Sequence, residues 1–377
     1  MTHAAEKQKK RIFPEPLLGS YRADDCRFLL KTVPAGFQSV ANKEYLIQSG
    51  QAHYSEMIHR EAAPSAPYTE LFKEMTQRYK RRLAAEIMTL AKKIASARDS
   101  KNPICLLSLA RAGTPIGVLL QRTLQQHLKI NSVHYSISII RDKGLDYVAL
   151  DYLLEQQKIT DQSLVFIDGW TAKGVITREL KQSIEQYNRS RGCHIAPELF
   201  VVSDIGGSAD VAATFDDYTM PNALMNSTVS GLISRSILNT HVGKDDFHGC
   251  VRYSHLHAVD CSNWFIDTVM AEVDPSHCAA ELPTSQAQRQ TTVSHFLNDL
   301  QREFQISDIN RIKPGISEAT RVMLRRVPDL LLLKEPNSAD VAHLRQLAEE
   351  KKIPILERPT MPLNACALIK NVLKANV

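Results

Sequence analysis

The sequence predicts a two-domain α/β protein whose larger domain is built on a parallel sheet. The chain has 377 residues, of which 44% are hydrophobic and 23% charged. This composition is typical of globular proteins, and the length is sufficient for two domains. Between residues 104 and 203, short apolar runs alternate with helical segments, as in parallel strands joined by crossover helices. A polar stretch with a proline, residues 281–288, separates this region from a second, shorter alternation.

Local patterns place each element in turn. Residues 1–20 are predicted to be a basic tail, and the domain 21–282 is predicted to open with helical additions to about residue 91. Its strands are predicted at 104–109, 133–140, 164–167 and 199–203, with helices at 116–128, 149–157 and 175–187. The second domain, 290–377, is predicted to have helices at 293–304, after Pro314, at 338–350 and at 363–373, with strands at 330–333 and 353–356.

The apolar and cysteine patterns indicate a cytoplasmic protein with no membrane partner. The longest apolar runs, such as residues 330–333, are far shorter than the roughly 20 residues of a membrane span. Residues 1–11 are polar and basic, without the apolar centre of a secretory signal. The seven cysteines are scattered without a CxxC pair, which favours reduced thiols over a disulfide framework.

Residues 165–174, VFIDGWTAKG, predict a buried strand that leads into a phosphate-binding turn. Backbone N–H groups and the positive end of the following helix can bind a phosphate, and Asp168 can accept hydrogen bonds from sugar hydroxyls. A Walker A loop has similar glycine spacing, but Val175 and Ile176 stand where Lys and Ser/Thr are required. A glycine turn that binds no ligand also fits the pattern.

Two further loops are expected at the same edge of the sheet, because ligands bind at the carboxyl ends of parallel strands. Arg111 and Gly113 follow the first of these strands, and Arg141 and Lys143 follow the second. A charged, solvated surface loop is an equally simple interpretation of the region around Arg141.

Together these three loops resemble the PRPP motif, pyrophosphate loop and mobile hood of type I phosphoribosyltransferases. The motif Gly-Trp-Thr-x-Lys-Gly and the segments 53–57, 224–231 and 246–249 are similar to the stress- and tellurite-operon phosphoribosyltransferase-like family. That family is also labelled StiP or "cysteine protease StiP". Its PRPP motif normally has a second acid where Gly169 stands, and Thr-Gly where Lys173-Gly174 stands.

The resemblance implies a type I phosphoribosyltransferase-like sheet and phosphoribosyl transfer between PRPP, or a nucleotide, and a base or nucleoside-like acceptor in stress-linked biosynthesis or salvage. Mg²⁺ is the implied cofactor, and a homodimer is plausible. The implied catalytic residues are Asp168, Arg111, Arg141 and Lys143. The implied PRPP-binding residues are Ala112, Gly113, Thr114, Gly169, Thr171, Ala172, Lys173, Gly174 and Val175. Acceptor contacts are placed at Asp204, Asn226, Ser227 and Thr228, residue types that equally cap helices.

Residues 241–278 are rich in histidine and cysteine. Their spacing matches no common zinc pattern, so no metal site formed by protein side chains is predicted. The family label suggests an alternative, a cysteine protease, which requires a thiolate beside a histidine. Cys250 or Cys261 with His248, His255 or His257 would be the candidates, although no local nucleophile signature is present.

The C-terminal domain predicts an anionic partner. Residues 310–377 contain twelve Lys/Arg against seven Asp/Glu, and no Phe, Tyr or Trp follows residue 304, which argues against binding of single strands by stacking. The stretch KPGISEATR, residues 313–321, resembles the Pelota-like RNA-binding domain. The resemblance implies contacts with structured RNA from Lys313, Gly315, Ser317, Glu318, Arg321 and Arg325. A capped helix without RNA contacts and a non-catalytic, PRPP- or nucleotide-sensing RNA-binding regulator remain as alternatives.

Overall fold

The computed structural model describes residues 11–34, 36–99, 101–282 and 284–372. Its strands are β1 Arg27–Leu29, β2 Lys31–Thr32, β3 Ile104–Leu109, β4 Ser132–Ile137, β5 Ile139–Ile140, β6 Gly144–Leu145, β7 Leu164–Thr171, β8 Leu199–Asp204, β9 Val211–Thr214, β10 Gly249–Cys250, β11 Ile312–Pro314, β12 Pro328–Leu333, β13 Ile355–Glu357 and β14 Ala365–Ile369. Its α-helices are α1 Val40–Gln48, α2 Ala66–Ala97, α3 Thr114–Gln126, α4 Tyr147–Asp151, α5 Val175–Arg191, α6 Pro221–Leu224, α7 Ser262–Met270, α8 Gln286–Glu303, α9 Ile316–Arg325 and α10 Ala342–Lys351.

The larger sheet has six parallel strands in the order β1-β4-β3-β7-β8-β9. The mixed α/β class and the parallel sheet that the sequence predicted are therefore confirmed. The chain order reverses between β3 and β7, and ligands of open α/β sheets bind at such a switch point, outside the carboxyl ends of the strands. The loops after β3 and β7 both lie at this point.

Apolar helices cover both faces of this sheet. Strand β3 is buried along its whole length, as expected of a central parallel strand. On one face, Leu106 packs in a cluster with side chains of α2, α3 and α7, and on the other Leu107 packs in a cluster with side chains of α5. Helix α2 begins where Ser65 accepts a hydrogen bond from the Tyr68 N–H and Pro67 occupies the first turn.

The N-terminal region departs from its predicted helical pattern. Residues 27–29 form β1, which pairs in parallel with β4 and extends the sheet by one strand. In the predicted tail, residues 1–10 lie outside the described residues, but Phe13 is buried and Leu17 pairs with Phe28. Apolar side chains therefore anchor residues 11–20 on the domain.

The second sheet has four strands in the order β11-β14-β12-β13, with α9 and α10 packed on it. The helix predicted at 363–373 is wrong within its described part, because residues 365–369 form β14 between β11 and β12. All five residues of β14 are buried, and a short run that is apolar on every side fits a central strand as well as a helix. The predicted strands at 330–333 and 353–356 correspond to β12 and β13, whereas β11 was not predicted.

Helix α8 joins the two sheets. It begins at Gln286, before the predicted domain start at residue 290, with Ser285 and Gln288 forming a capping box. Gly207 and Ile205 of the larger sheet contact this helix directly. Among the described residues, no helix combines the length and the apolar character needed to cross a membrane.

Candidate functional site

A cavity of about 620 Å³ lies at the switch point, between the loops after β3 and β7 and the start of α9. Ten Lys or Arg and four Asp or Glu residues line it. The basic residues are Lys43, Arg111, Arg141, Lys173, Arg235, Arg311, Lys313, Arg321, Arg325 and Arg326, and the acidic ones are Glu61, Asp168, Asp308 and Glu318. Both domains therefore contribute cationic side chains to one space.

Arg111 lies in the loop after β3 and is held by an acid that the sequence analysis missed. Its Nη1 donates to Glu61 Oε2 at 3.1 Å and to the Ile233 carbonyl at 3.3 Å. The other Glu61 oxygen accepts the Ser227 N–H and hydroxyl, both at 2.8 Å. Burial opposes ionisation of Glu61, but Arg111, Arg325 and the Ser227 bonds outweigh it and lower its pKa. The predicted acceptor residue Ser227 thus orients Glu61.

Asp168 projects from β7 toward the cavity with a perturbed acidity. Burial raises its pKa to about 7, although the Gly169 N–H at 2.8 Å and the nearby Arg321 favour the charged form. Strand β7 continues to Thr171, four residues beyond its predicted end. Asp168 and Trp170 are therefore held by the ladder with β8, on rigid backbone.

The turn from Thr171 to Val175 lines the cavity, and α5 begins there. Gly174 has a φ of 65°, a left-handed conformation that favours glycine. Lys173 is not left free for a ligand, since its Nζ donates to the Ile309 and Ile312 carbonyls, each at 3.0 Å. Burial, reinforced by Lys313, lowers the Lys173 pKa to about 7. The predicted phosphate lysine therefore ties the turn to the second domain.

The second domain docks through the first turn of α9. Asp217, which follows β9, accepts the Ile316 N–H at 2.8 Å and the Asn364 N–H at 2.8 Å. Gly315 has a φ of 87°, and a Cβ there would lie 2.2 Å from Ile205 Cδ1. Glycine suits this position because the left-handed backbone disfavours other residues and a Cβ would collide with the Ile205 side chain.

Three guanidinium groups converge on the cavity from the two domains. The Arg321 guanidinium carbon lies 4.4 Å from the Trp170 ring centroid, a cation–π distance. Nε of Arg321 and both Nε and Nη2 of Arg325 are buried without a hydrogen-bond partner in the described part of the chain. Burial lowers the Arg325 pKa well below its usual value, and Arg111 and Arg321 lower it further.

Three further basic residues line the cavity, Lys43 of α1, Arg235 and Arg326. Lys43 Nζ lies 3.5 Å from the Arg325 carbonyl oxygen, and burial followed by repulsion from Arg235 and Arg326 lowers its pKa to about 8. Arg326 is paired with Glu44, with Nη2 2.9 Å from Oε2. Arg235 donates to the Tyr54 carbonyl at 2.6 Å. Even with Arg326 paired to Glu44, basic side chains outnumber acidic ones around the cavity.

Several predicted residues lie elsewhere. Lys143 is exposed and lines a separate surface depression, whereas Arg141 lines the main cavity and donates to Asn310 Oδ1 at 2.9 Å. Asp204 accepts the Ala209 N–H at 2.8 Å, so its side chain stabilises the turn that follows β8. Asn226 and Thr228 are not among the described residues that line the cavity.

The glycines and small polar residues of the two loops have structural roles. A Cβ on Gly113 would lie 2.6 Å from the Ile167 carbonyl oxygen. Because glycine has no Cβ, the backbone of β7 can pack closely against this loop. Thr114 is fully buried, and its Oγ1 lies 2.8 Å from Ser136 Oγ. Ala112 and Ala172 line the cavity, whereas Gly169 does not.

The predicted RNA contacts are turned toward the larger domain. Lys313, Glu318, Arg321 and Arg325 line the cavity, and Ser317 is 6% exposed. Burial opposes ionisation of Glu318, but Lys313 and Arg321 lower its pKa. The Lys313 Nζ and Arg321 Nη1 lie 3.7 and 3.9 Å from its carboxylate oxygens.

No group of three or more His, Cys, Asp or Glu side chains in the described ranges is placed to hold a metal ion. Gly169 follows Asp168 at the position where the resemblance places a second acid. These residues do not form a Mg²⁺ site by themselves, and the expected Mg²⁺ stays a prediction.

All seven cysteines are free thiols, and none lines the cavity among the described residues. Burial raises the pKa of Cys250 to about 12 and also raises that of Cys261. His248 Nδ1 lies 2.7 Å from Ser138 Oγ, and His255 Nε2 lies 2.9 Å from the Glu61 carbonyl oxygen. These histidines are therefore engaged with groups other than the two thiols.

Cys278 differs from these thiols because it is exposed. Lys92 Nζ donates to its Sγ at 3.3 Å. The neighbouring His277 has its Nδ1 2.9 Å from Asp274 Oδ2. The His277 Nδ1 is thus engaged by the carboxylate, and the Cys278 thiol by the Lys92 ammonium group.

Comparison with known proteins gives matches along almost the whole chain. Residues 19–270 match the family model described as "Tellurite-like stress resistance cysteine protease StiP", and residues 291–371 match the PELOTA RNA binding domain. A curated protein of Acinetobacter baylyi, "Cysteine protease StiP", is 40% identical over 362 residues, which cover 93% of each chain.

Solved structures give only weak likenesses. The hypoxanthine phosphoribosyltransferase of Trypanosoma cruzi is 15% identical, with a TM-score of 0.27, over 35% of this chain and 76% of that one. A Leishmania tarentolae HGPRT-ase in complex with GMP is 15% identical, with a TM-score of 0.26, over 35% and 72%. At these scores neither likeness supports an argument about fold or activity.

The phosphoribosyltransferase activity predicted from the sequence is therefore wrong, because the family model and the curated relative are both described as cysteine proteases. The prediction relied on a phosphate-binding turn and an acid at a strand end, features that many α/β proteins share. The predicted StiP resemblance and the C-terminal Pelota resemblance are confirmed.

Proposed function

The chain belongs to the StiP family of tellurite-like stress resistance cysteine proteases, and we propose that it acts in stress resistance as a cysteine protease that also binds RNA. The observation that carries the proposal is the likeness to the Acinetobacter baylyi protein through both domains. At 40% identity over 93% of each chain, a shared activity is the simplest inference. The free thiols support a reducing, cytoplasmic setting.

We propose Cys278 as the nucleophile, with His277 as the base and Asp274 as the group that orients it. Thiol attack requires a thiolate, an imidazole to manage the proton, and access for the substrate. Cys278 is exposed and next to an ammonium group, whereas Cys250 and Cys261 are buried with raised pKa values. The His277–Asp274 contact at 2.9 Å orients the imidazole, which makes no hydrogen bond with the Cys278 thiol in this structure and must turn toward it to act as the base.

The test is hydrolysis of fluorescently labelled casein by the full chain, with and without iodoacetamide. We expect alkylation to abolish cleavage, Cys278→Ser to abolish it as well, and Cys193→Ser to have no effect. If Cys261→Ser abolishes casein cleavage and Cys278→Ser does not, Cys261 is the nucleophile and the proposed protease activity still holds. Undiminished cleavage after complete alkylation, or no cleavage of casein at all, would contradict the proposed activity.

We propose structured RNA as the partner of the C-terminal domain, which is supported by its match to the PELOTA model. The contacts inferred from the resemblance are Lys313, Gly315, Ser317, Glu318, Arg321 and Arg325. Binding of an RNA hairpin with an internal loop to the full chain should weaken as salt rises, because phosphate contacts release counterions. Fluorescence anisotropy at two salt concentrations measures this, and no binding at low salt would contradict it.

For the larger sheet, we propose descent from type I phosphoribosyltransferase-like sheets without the transferase activity. The order of three charged loops at one sheet edge supports this relationship. The domain limits 21–282 and 290–377 and the homodimer remain predictions of the sequence.

A further inference from the structure

Lys43 of α1 places a buried amine in the wall of the cavity. The residue is 5% exposed, and its Nζ contacts His59 Nδ1 and the Arg325 carbonyl oxygen, each at 3.5 Å. It forms no ion pair with the described residues, and the adjacent Glu44 is paired with Arg326 instead. A buried ammonium group without a carboxylate is unfavourable, so this position disfavours the charged form.

The charged groups around Lys43 act in the same direction. Burial lowers the pKa of Lys43 to about 8, together with repulsion from Arg235 and Arg326. Arg325 adds to this repulsion, and Glu44 opposes it. The unprotonated share of this amine at neutral pH is therefore larger than that of an exposed lysine, on the order of a hundredfold. The unprotonated amine is the form that attacks a carbonyl carbon.

His59 lies beside the amine and can move its protons. Burial, followed by repulsion from Lys43 and Arg325, lowers the pKa of His59 to about 4, so its imidazole is neutral at pH 7. A neutral imidazole accepts a proton at one nitrogen and donates one from the other. Both His59 and Lys43 line the cavity of about 620 Å³, so a small molecule can reach the pair.

The charge near the pair selects the kind of carbonyl compound. Arg235 donates to the neutral carbonyl oxygens of Tyr54 and Ser236 and forms no ion pair with the described residues. Its positive charge therefore favours an anionic ligand over a neutral one. Lys43 belongs to α1, outside the larger sheet and outside the loops that follow β3, β4 and β7.

We propose that Lys43 forms a Schiff base with a small anionic aldehyde or ketone bound in this cavity, and that His59 moves the protons. The unprotonated Nζ attacks the carbonyl carbon, and the C–N bond forms as the π electrons of the C=O bond move to oxygen. His59 transfers the two protons of the nitrogen, one after the other, to that oxygen, which leaves as water when the C=N bond forms. One water is released, and nothing is oxidised or reduced. Cys278 takes no part, so the inference is independent of the proposed protease activity.

The probe is glyoxylate, added to the full chain with sodium cyanoborohydride, which reduces the imine to a stable secondary amine. Peptide mass spectrometry then measures the rate at which each lysine is carboxymethylated. At pH 7 we expect Lys43 to react about tenfold or more faster than the exposed Lys158, because its unprotonated share is larger. The rate at Lys43 should level off above about pH 8, whereas the rate at Lys158 should still rise.

His59→Gln should slow the reaction of Lys43 by about tenfold or more, because proton transfer is lost, and should leave Lys158 unchanged. His257→Gln, at an exposed position, is the matched control and should react like the wild type. A rate at Lys43 no faster than at Lys158 in the wild type would overturn the proposal, and this comparison needs no variant to fold. Reaction of Lys43 with propanal, a neutral aldehyde, as fast as with glyoxylate would overturn the anionic class of the ligand.

Discussion

Asp168 is a carboxylic acid that the fold makes unusually easy to protonate. Burial raises its pKa to about 7, whereas in the unfolded chain an aspartate has a pKa of about 3.9. Between these values the folded protein binds the proton more tightly than the unfolded chain does. Folding stability that depends on this group is therefore lost as the pH rises from about 4 to above 7.

Asp168→Asn should remove this dependence. An asparagine Oδ1 can accept the same Gly169 N–H bond, so at pH 4 the variant should match the wild type. At pH 8 it should be more stable by about 1–3 kcal/mol, since one pKa unit corresponds to about 1.4 kcal/mol. Urea unfolding at the two pH values measures the difference. Asp329→Asn, at an exposed position, is the control, and an equal effect at both pH values would contradict the argument.

Single residues also explain how far the site could be predicted. Arg111, Asp168 and the turn 171–175 were found because charged and glycine residues after strands are local signals. Glu61 and Asp217 were missed because their partners, Arg111 and Ile316, lie 50 and 99 residues away in the chain. Long-range pairing of this kind leaves no local pattern. The protease alternative was not preferred because no nucleophile signature surrounds its candidates Cys250 and Cys261.

At the scale of elements, the helices and strands of the larger sheet were predicted well where periodicity was strong. Strand β3 has the bounds that its apolar run indicated, and α5 begins at the predicted Val175. The strands that the sequence did not predict correctly are short. Strand β1 has three residues and gains its stability from pairing with β4. Strand β14 was read as a helix because burial on both faces removes the alternation that identifies a strand.

The start of α9 depends on a glycine for close packing as well as for its conformation. Gly315→Ala places a Cβ 2.2 Å from Ile205 Cδ1 at a φ of 87°, and we expect a loss of about 2–4 kcal/mol from clash and strain together. Gly192→Ala is the matched control, because Gly192 has a φ of 66° with no atom within 4 Å of its Cβ position. It should cost only about 1 kcal/mol. Chemical denaturation compares them, and equal losses would mean that packing at Gly315 is unimportant.

The docking of α9 and β14 also depends on Asp217, whose carboxylate accepts the N–H groups of Ile316, Asn364 and Ala365. Asp217→Ala leaves these buried donors without their acceptor, at a cost of about 1–3 kcal/mol. The second domain should then unfold below the first, and calorimetry should resolve two thermal transitions where the wild type has one. A single, unshifted transition would show that docking does not depend on this contact.

At the scale of the whole molecule, the fold classes of both domains could be predicted, but their mutual arrangement could not. The periodicity of a sequence shows which face of each helix or strand is buried. The cavity instead forms where surfaces of the two domains come together, and the residues of these surfaces are far apart in the sequence. Lys173 illustrates this, since it was predicted to bind phosphate and instead donates to the Ile309 and Ile312 carbonyls. The cationic cavity is consequently a property of the assembled chain.

The same arrangement makes a prediction about RNA. Lys313, Glu318 and Arg321 face the cavity, and Gly315 is packed against Ile205, so RNA that uses these residues must compete with the larger domain. Weakening the docking by about 1 kcal/mol should raise the apparent RNA affinity by about fivefold, because the fraction of binding-competent molecules rises. Asp217→Ala should therefore bind the RNA hairpin more tightly than the wild type, and Asp329→Asn should not. Fluorescence anisotropy measures both, and unchanged affinity in Asp217→Ala would place the RNA contacts on the outer face of the second domain.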